Sequence, residues 1–285
     1  FNRIYQSAYL EIAPKNPERA LAIADSLFKT STEPKLKVKS LMLSATLYQQ
    51  QQKLSKSTAL AEQALSIIEG TDDYNWKVRI CGFLATHYRH LQLYKKSKIL
   101  CDRALQMIPL ITHEETAQGA RGLVNQELAY YDITLGDYTS AISHIRKSQQ
   151  SFDKIVQNKE YLTGNNEQLL GLCYYHLGDY EKSLNHYNRS LRLMRQFPDN
   201  EIKGLLYNGM SSIYIEKKDL ATAKLYLDSA SAIMKTSKYL QLKNEILKTT
   251  QNYYLKAKDL AHFEEAREKQ DSIREQITLN STKFL

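Results

Sequence analysis

Small residues recur at fixed intervals within a helical pattern of apolar and polar positions. One series lies three residues before a recurring tyrosine, a second lies nine residues after it, and a third lies seven residues further on. The small positions are Ala45, Ala85, Ala129, Gly171 and Ser211; Ser57, Ser97, Ala141, Ser183 and Ala223; and Ala64, Ala104, Ser148, Ser190 and Ala230. Because small side chains allow two helix backbones to approach closely, this pattern predicts a repeat of antiparallel helical hairpins.

The recurring tyrosine measures the length of the repeat. It occupies Tyr48, Tyr88, Tyr174, Tyr214 and Tyr254, and Asp132 fills the equivalent place between the second and third of these. The intervals run from 40 to 44 residues. By their periodicity, Tyr48, Tyr88, Tyr174 and Tyr214 are predicted to be core residues rather than a cofactor site.

This repeat predicts a single domain of seven hairpins over residues 1–285. The last hairpin departs most from the pattern and is predicted to be a cap or connector. The predicted hairpins are 1–37, 38–77, 78–121, 122–163, 164–203, 204–243 and 244–285.

Two connectors between the predicted helices have the same sequence, LGDY. Gly136 and Gly178 can adopt the left-handed conformation that ends a helix. Asp137 and Asp179 can then cap the next helix. The connectors therefore predict tight turns within each hairpin.

Two segments resemble tetratricopeptide repeats, namely LATHYRHLQLYKKSKILCDRALQMIP and LLGLCYYHLGDYEKSLNHYNRSL. The resemblance implies an all-α, right-handed solenoid whose first helices line a concave face. The family period is 34 residues, so the longer interval here predicts longer helices. In its longer repeat the chain resembles the branch of the family that includes peptide-sensing bacterial regulators.

Two shorter segments, ALAIADSLF and AREKQDSIREQI, resemble the sensor portion of bacterial membrane-anchored transcription regulators. The resemblance implies attachment to a membrane span and a helix-turn-helix DNA-binding module, both outside these residues. The array would then lie on the periplasmic side of the membrane, and otherwise in the cytoplasm.

Composition agrees with a helical chain that has no catalytic motif. Glycine and proline together make up only 15 of 285 residues, and neither a glycine-rich phosphate loop nor a GxSxG motif occurs. His87 and His90 could share a helix face, but a third metal ligand is badly placed. We therefore predict a non-enzymatic protein without a metal or cofactor.

The chain carries 39 basic and 31 acidic residues, a formal net charge of +8. Arg189, Arg192 and Arg195 recur along one predicted second helix. Second helices form the outer wall of such arrays, so we predict a solvated face and no direct contact with nucleic acid.

Amide, aromatic and cationic residues are predicted to line the groove of the first helices. Amides can satisfy a peptide backbone, and tyrosines offer a stacking surface. The candidate ligand-binding residues are Arg79, Arg89, His90, Gln126, Tyr130, Gln168, Tyr175, His176, Asn208 and Asn252. An alternative is that a polar concave face merely keeps the array soluble.

The sequence thus predicts a module that binds a peptide or protein segment. The favoured interpretation is the sensory or regulatory domain of a bacterial signalling or transcription regulator. The alternative is a scaffold or co-chaperone-type adaptor that holds protein partners together without a signalling output.

Overall fold

The computed structural model describes residues 1–282, and every regular element within them is helical. The chain divides into two compact units, Phe1–Glu127 and Leu128–Leu285. The single-domain organisation stays a prediction.

The first unit consists of successive helices that pack mainly against their neighbours in sequence, as α3 does with α4 and α5 does with α6. Its elements are α1 (Asn2–Ser7), a π-helical turn (Ala8–Ile12), α2 (Pro17–Thr30), α3 (Pro34–Gln50), α4 (Leu54–Ile68), α5 (Tyr74–His90), α6 (Tyr94–Met107), a 3-10 turn (Ile108–Leu110) and most of α7 (Glu114–Thr134). Asn16 caps α2 by accepting a hydrogen bond from the backbone N–H of Arg19.

The second unit repeats the same hairpin with longer and more regular pairs. After the end of α7 it contains α8 (Tyr138–Phe152), α9 (Lys159–His176), α10 (Tyr180–Met194), α11 (Glu201–Glu216), α12 (Leu220–Thr236), α13 (Leu240–Lys256) and α14 (Leu260–Ser281). The main hairpin contacts are α9 with α10, α11 with α12 and α13 with α14. First helices also contact each other, α9 with α11 and α11 with α13.

The small residues lie where the helices of a hairpin meet. All fifteen positions of the three small series are buried, which confirms the predicted register. Serine adds a second function at these positions, because its hydroxyl donates to a backbone carbonyl across the hairpin. Ser57 Oγ lies 2.7 Å from the Ala45 carbonyl oxygen, and Ser183 Oγ lies 2.6 Å from that of Gly171.

The turns within the hairpins share a left-handed residue, and in the two LGDY turns a capping aspartate follows it. Gly136 and Gly178 have φ angles of +74° and +80°, and Asp137 and Asp179 accept hydrogen bonds from backbone N–H groups three residues ahead. This confirms both parts of the turn prediction. The equivalent left-handed residues without glycine are Gln52, Gln92, Lys218 and Lys258.

The first helices begin earlier than the predicted hairpin boundaries. Helix α7 begins at Glu114, whereas the fourth hairpin was predicted from residue 122, and α9 begins at Lys159 rather than at residue 164. The reason is that the small residues mark the contact at mid-helix, and carry no information on where the helix starts.

The recurring tyrosines are mostly half-buried rather than core residues. Tyr88 is buried, but the other four are only partly covered. Tyr187 on α10 is instead the largest fully buried side chain. Gly171 and Gly209 make room for it, since a Cβ at these positions would lie 2.3 Å and 2.5 Å from Tyr187 atoms.

Candidate functional site

In the first unit, the predicted groove cation Arg89 already has a partner within the fold. Its Nε lies 2.7 Å from Glu127 Oε2, and Nη2 lies 3.3 Å from Oε1. Thr86 donates to the same carboxylate from 2.9 Å. The arginine and glutamate side chains are only 19% and 13% exposed. Arg89 therefore joins α5 to α7, and its charge is neutralised internally.

The other predicted residues of the first unit are in different environments. Arg79 is exposed, and its guanidinium lies 4.9 Å from the centre of the Trp76 ring. His90 is half-buried, and burial together with the nearby Arg89 charge holds the pKa of His90 well below its ordinary value. Gln126 is buried, with 5% of its surface exposed.

The sequence raised His87 as a candidate metal ligand, but its ring packs inside the fold and both ring nitrogens contact protein atoms. It is fully buried, with Nε2 3.3 Å from Ser57 Oγ and Nδ1 3.1 Å from the Phe83 carbonyl oxygen. Burial, aided by Arg89, lowers the pKa of His87 to about 4. Among residues 1–282, no group of three or more His, Cys, Asp or Glu side chains is arranged to hold a metal ion.

In the second unit, two predicted amides occupy equivalent positions on contacting first helices. Gln168 on α9 and Asn208 on α11 are 40 residues apart, which equals the repeat interval. They are 2% and 9% exposed. Within the described residues, neither Gln168 Oε1 nor Asn208 Oδ1 accepts a hydrogen bond. A buried oxygen without a donor costs about 1–3 kcal/mol, so these two atoms are unsatisfied hydrogen-bond acceptors.

A third buried oxygen lies between the same helices. A Cβ at Gly209, the neighbour of Asn208, would be 2.5 Å from the Tyr187 hydroxyl. That hydroxyl also has no hydrogen-bond partner among residues 1–282. The sequence did not indicate this residue, because its position within the repeat is a packing position and not a groove position.

The remaining predicted residues of the second unit are half-buried or exposed. Tyr130 donates to Asn165 Oδ1 at 3.2 Å. Tyr175 and Asn252 are partly covered, and His176 is exposed. The His176 ring stacks on Tyr138 with 4.6 Å between ring centres. Partial burial, followed by the positive charge of Lys248, lowers the pKa of His176.

An ion-pair cluster that the sequence did not predict lies where α9 meets α10. Glu167, with its side chain 7% exposed, holds His186 at 2.6 Å and Arg189 at 3.2 Å. His186 also stacks on Tyr174 with 5.3 Å between ring centres. Arg189 is exposed, as predicted for the outer wall, yet it is fixed by this carboxylate. Arg192 and Arg195 are exposed as well.

Comparison with known proteins supports the fold. The tetratricopeptide repeat family model matches residues 160–236, whereas no curated protein matches the chain. The crystal structure of the apo form of RapI is 14% identical and has a TM-score of 0.73, with 97% of this chain and 98% of RapI covered.

Two further solved structures have the same fold at low identity. NprR in complex with its cognate peptide NprX is 17% identical, with a TM-score of 0.69 and coverage of 93% of this chain and 76% of NprR. Aspartyl phosphate phosphatase F from Bacillus subtilis is 15% identical, with a TM-score of 0.69 and coverage of 95% of this chain and 70% of the phosphatase.

These matches define the class of the protein: it is an all-α helical repeat protein with a tetratricopeptide-like solenoid fold. No helix among residues 1–282 is long and apolar enough to cross a membrane.

Proposed function

We propose that the protein is a non-enzymatic array that binds an extended peptide or protein segment across the first helices of its second unit. The observation that carries this proposal is the pair of buried amide oxygens of Gln168 and Asn208, which lack donors in equivalent positions of adjacent helices. Backbone N–H groups of a ligand are suitable donors for both.

The spacing of the two amides suits an extended chain. Packed helix axes are about 8–10 Å apart, and a strand rises about 3.3 Å per residue. Amides on α9 and α11 would therefore meet N–H groups about three ligand residues apart. Tyr175 offers a partly exposed ring seven residues further along α9, and Asn252 offers another amide on α13.

The role proposed for this binding is regulatory. NprR, which has the same fold, was crystallised with a peptide, and the similarity supports a sensory or regulatory domain. A membrane span and a DNA-binding module would lie outside this chain. The polar groups of the first unit are engaged in internal contacts, such as Arg89 with Glu127, so they contribute less to the proposed site.

The test begins with a library of unmodified heptapeptides screened against the intact chain by native mass spectrometry. Affinities of the ligands found are then measured by calorimetry for the wild type, Gln168→Leu and Asn208→Leu. Both variants should lose about tenfold or more in affinity, because leucine offers no acceptor. Circular dichroism checks that both variants remain helical.

A matched control separates the groove from the outer wall. Arg192→Ala, on the outer wall, should leave affinity unchanged. Methylating the ligand backbone nitrogens one at a time should weaken binding at two positions about three residues apart. A ligand whose affinity falls with Arg192→Ala but not with either leucine variant would refute this site.

A further inference from the structure

The second unit has a surface cavity of about 570 Å³ that shares only Tyr174 with the groups described above. One stripe of α8 forms most of its wall, and Tyr174 of α9 completes it. The lining residues are Thr139, Ile142, Ser143, Arg146, Lys147, Gln150 and Tyr174. The volume lies within the range of about 300–1,000 Å³ that is typical of binding sites.

The cavity has an uncompensated positive charge. Its lining includes Arg146 and Lys147 and no carboxylate. Both cations are exposed, and within residues 1–282 neither has a hydrogen bond or an ion pair. Other cations of this unit are neutralised, for example Lys182 by Asp179 at 2.7 Å and Arg189 by Glu167 at 3.2 Å. The unpaired charge of the cavity therefore favours an anionic partner.

The aromatic wall of the cavity is held in place by half-buried His186 and by Lys182, whose Nζ lies 5.4 Å from the centre of the Tyr174 ring. The Tyr174 ring lies nearly parallel to the His186 ring, with an interplanar angle of 2°. His186 is in turn held by Glu167 at 2.6 Å. Because the ring is fixed before any partner arrives, little side-chain entropy is lost when an apolar or aromatic group packs on it.

The extent of the cavity indicates the size of the partner. Residues 139–150 of α8 span about 16 Å at 1.5 Å per residue, equal to about five residues of extended chain. Two cations, three neutral polar side chains and two apolar surfaces alternate over that length. A single small anion would contact only a fraction of this surface, whereas a polypeptide would use all of it.

We propose that this cavity is a docking surface for an acidic segment of a partner protein. Carboxylates of the segment pair with Arg146 and Lys147, the hydroxyl and amide side chains bind its backbone, and Tyr174 and Ile142 receive an apolar residue. The surface is separate from the peptide site of Gln168 and Asn208 and does not depend on it.

The test uses fluorescein-labelled decaglutamate as the probe and decaglutamine as its uncharged counterpart. Fluorescence anisotropy with the intact chain should show binding of decaglutamate that weakens as salt is added. The double variant Arg146→Ala/Lys147→Ala should weaken binding about tenfold or more. Binding of decaglutamine should be insensitive to salt and to the Arg146→Ala/Lys147→Ala change, because an uncharged peptide has no carboxylate to pair with these cations. Gln168→Leu should leave the salt-dependent part of decaglutamate binding unchanged.

The charge-matched control is Arg192→Ala/Arg195→Ala, which removes two exposed cations at the C-terminal end of α10 and should change affinity less than about twofold. Equal losses in the two double variants would mean that decaglutamate senses only net charge, and would overturn the proposal. So would unchanged binding in the Arg146/Lys147 variant. Binding of inorganic phosphate that depends on Arg146 and Lys147, without decaglutamate binding, would replace the docking surface with a small-anion site.

Discussion

Two buried amides on first helices of the second unit lack a hydrogen-bond donor for their oxygens, whereas the ion pair between first helices of the first unit is fully formed. In the first unit, Arg89 and Thr86 both bind Glu127. In the second unit, Gln168 and Asn208 are at least as deeply buried, but their side-chain oxygens have no donor among the described residues. Polar residues of first helices thus stabilise the fold in one place and remain unsatisfied acceptors in the other.

The difference shows how to distinguish a structural polar residue from a ligand-binding one in a helical array. Burial does not separate them, since both kinds are covered by neighbouring helices. Hydrogen-bond satisfaction does, because a structural residue is already compensated and an unsatisfied one gains when a partner arrives. The comparison predicts opposite effects of mutation in the two units, on stability in the first and on binding in the second.

The largest expected effect concerns the buried His87 of the first unit. Its pKa is about 4 in the fold and about 6.5 in an unfolded chain, so protons bind preferentially to the unfolded state. The contribution of neutral His87 to the free energy of unfolding is therefore complete above pH 6.5. It is lost as the pH drops towards 4, and the total loss is about 3 kcal/mol. Urea unfolding of wild type and His87→Gln between pH 4 and 7.5 measures this loss.

The variant should lack that part of the pH dependence while keeping the contributions of other groups. Parallel stability curves for the two proteins would show that folding does not lower the pKa of His87, and would contradict its buried environment.

The second effect concerns the link between α5 and α7. Glu127→Ala should lower the free energy of unfolding by about 2 kcal/mol, because Arg89 is left largely buried without its counter-charge. Asp153→Ala is the control. The side chains of Asp153 and Lys159, which form an ion pair, are 60% and 41% exposed. Loss of this pair should therefore lower the free energy of unfolding by less than about 0.5 kcal/mol. Equal costs, measured by urea unfolding, would contradict the structural role of Glu127.

A third and smaller effect is expected at the unpartnered amides. Gln168→Leu and Asn208→Leu should leave stability unchanged or raise it by about 1 kcal/mol, since each removes a buried oxygen without a donor. Thermal unfolding without ligand measures this directly. A loss of stability comparable to that of Glu127→Ala would mean that these amides are structural, and would remove the contrast between the two units.

The smallest effect is expected at Tyr187. Tyr187→Phe keeps the ring that fills the space left by Gly171 and Gly209 and removes only a hydroxyl without a partner. The free energy of unfolding should stay unchanged or rise by less than about 1 kcal/mol. Tyr88→Phe is the comparison, because its hydroxyl donates to Glu62, and it should cost about 1 kcal/mol. A larger loss at Tyr187 would show that its hydroxyl is satisfied.

The regular features of this protein follow from local sequence. Helical periodicity predicts the all-α class, the small residues predict the contacts between paired helices, and LGDY predicts a left-handed turn followed by a cap. These signals act over a few residues or over one hairpin, where side-chain size and backbone preference decide the outcome. Ser57 and Ser183 illustrate this, since both lie in the predicted contacts and donate to the facing helix.

Only the tertiary structure decided which of the predicted groove residues have partners. Arg89 and Glu127 are 38 residues apart, and nothing in the local pattern of either helix indicates that they meet. The missing donors at Gln168 and Asn208, and the burial of Tyr187 between glycines of two helices, likewise depend on contacts between separate segments. Sequence periodicity determines which face of a helix a residue occupies, whereas its partners are set by the packing of helices distant in the chain.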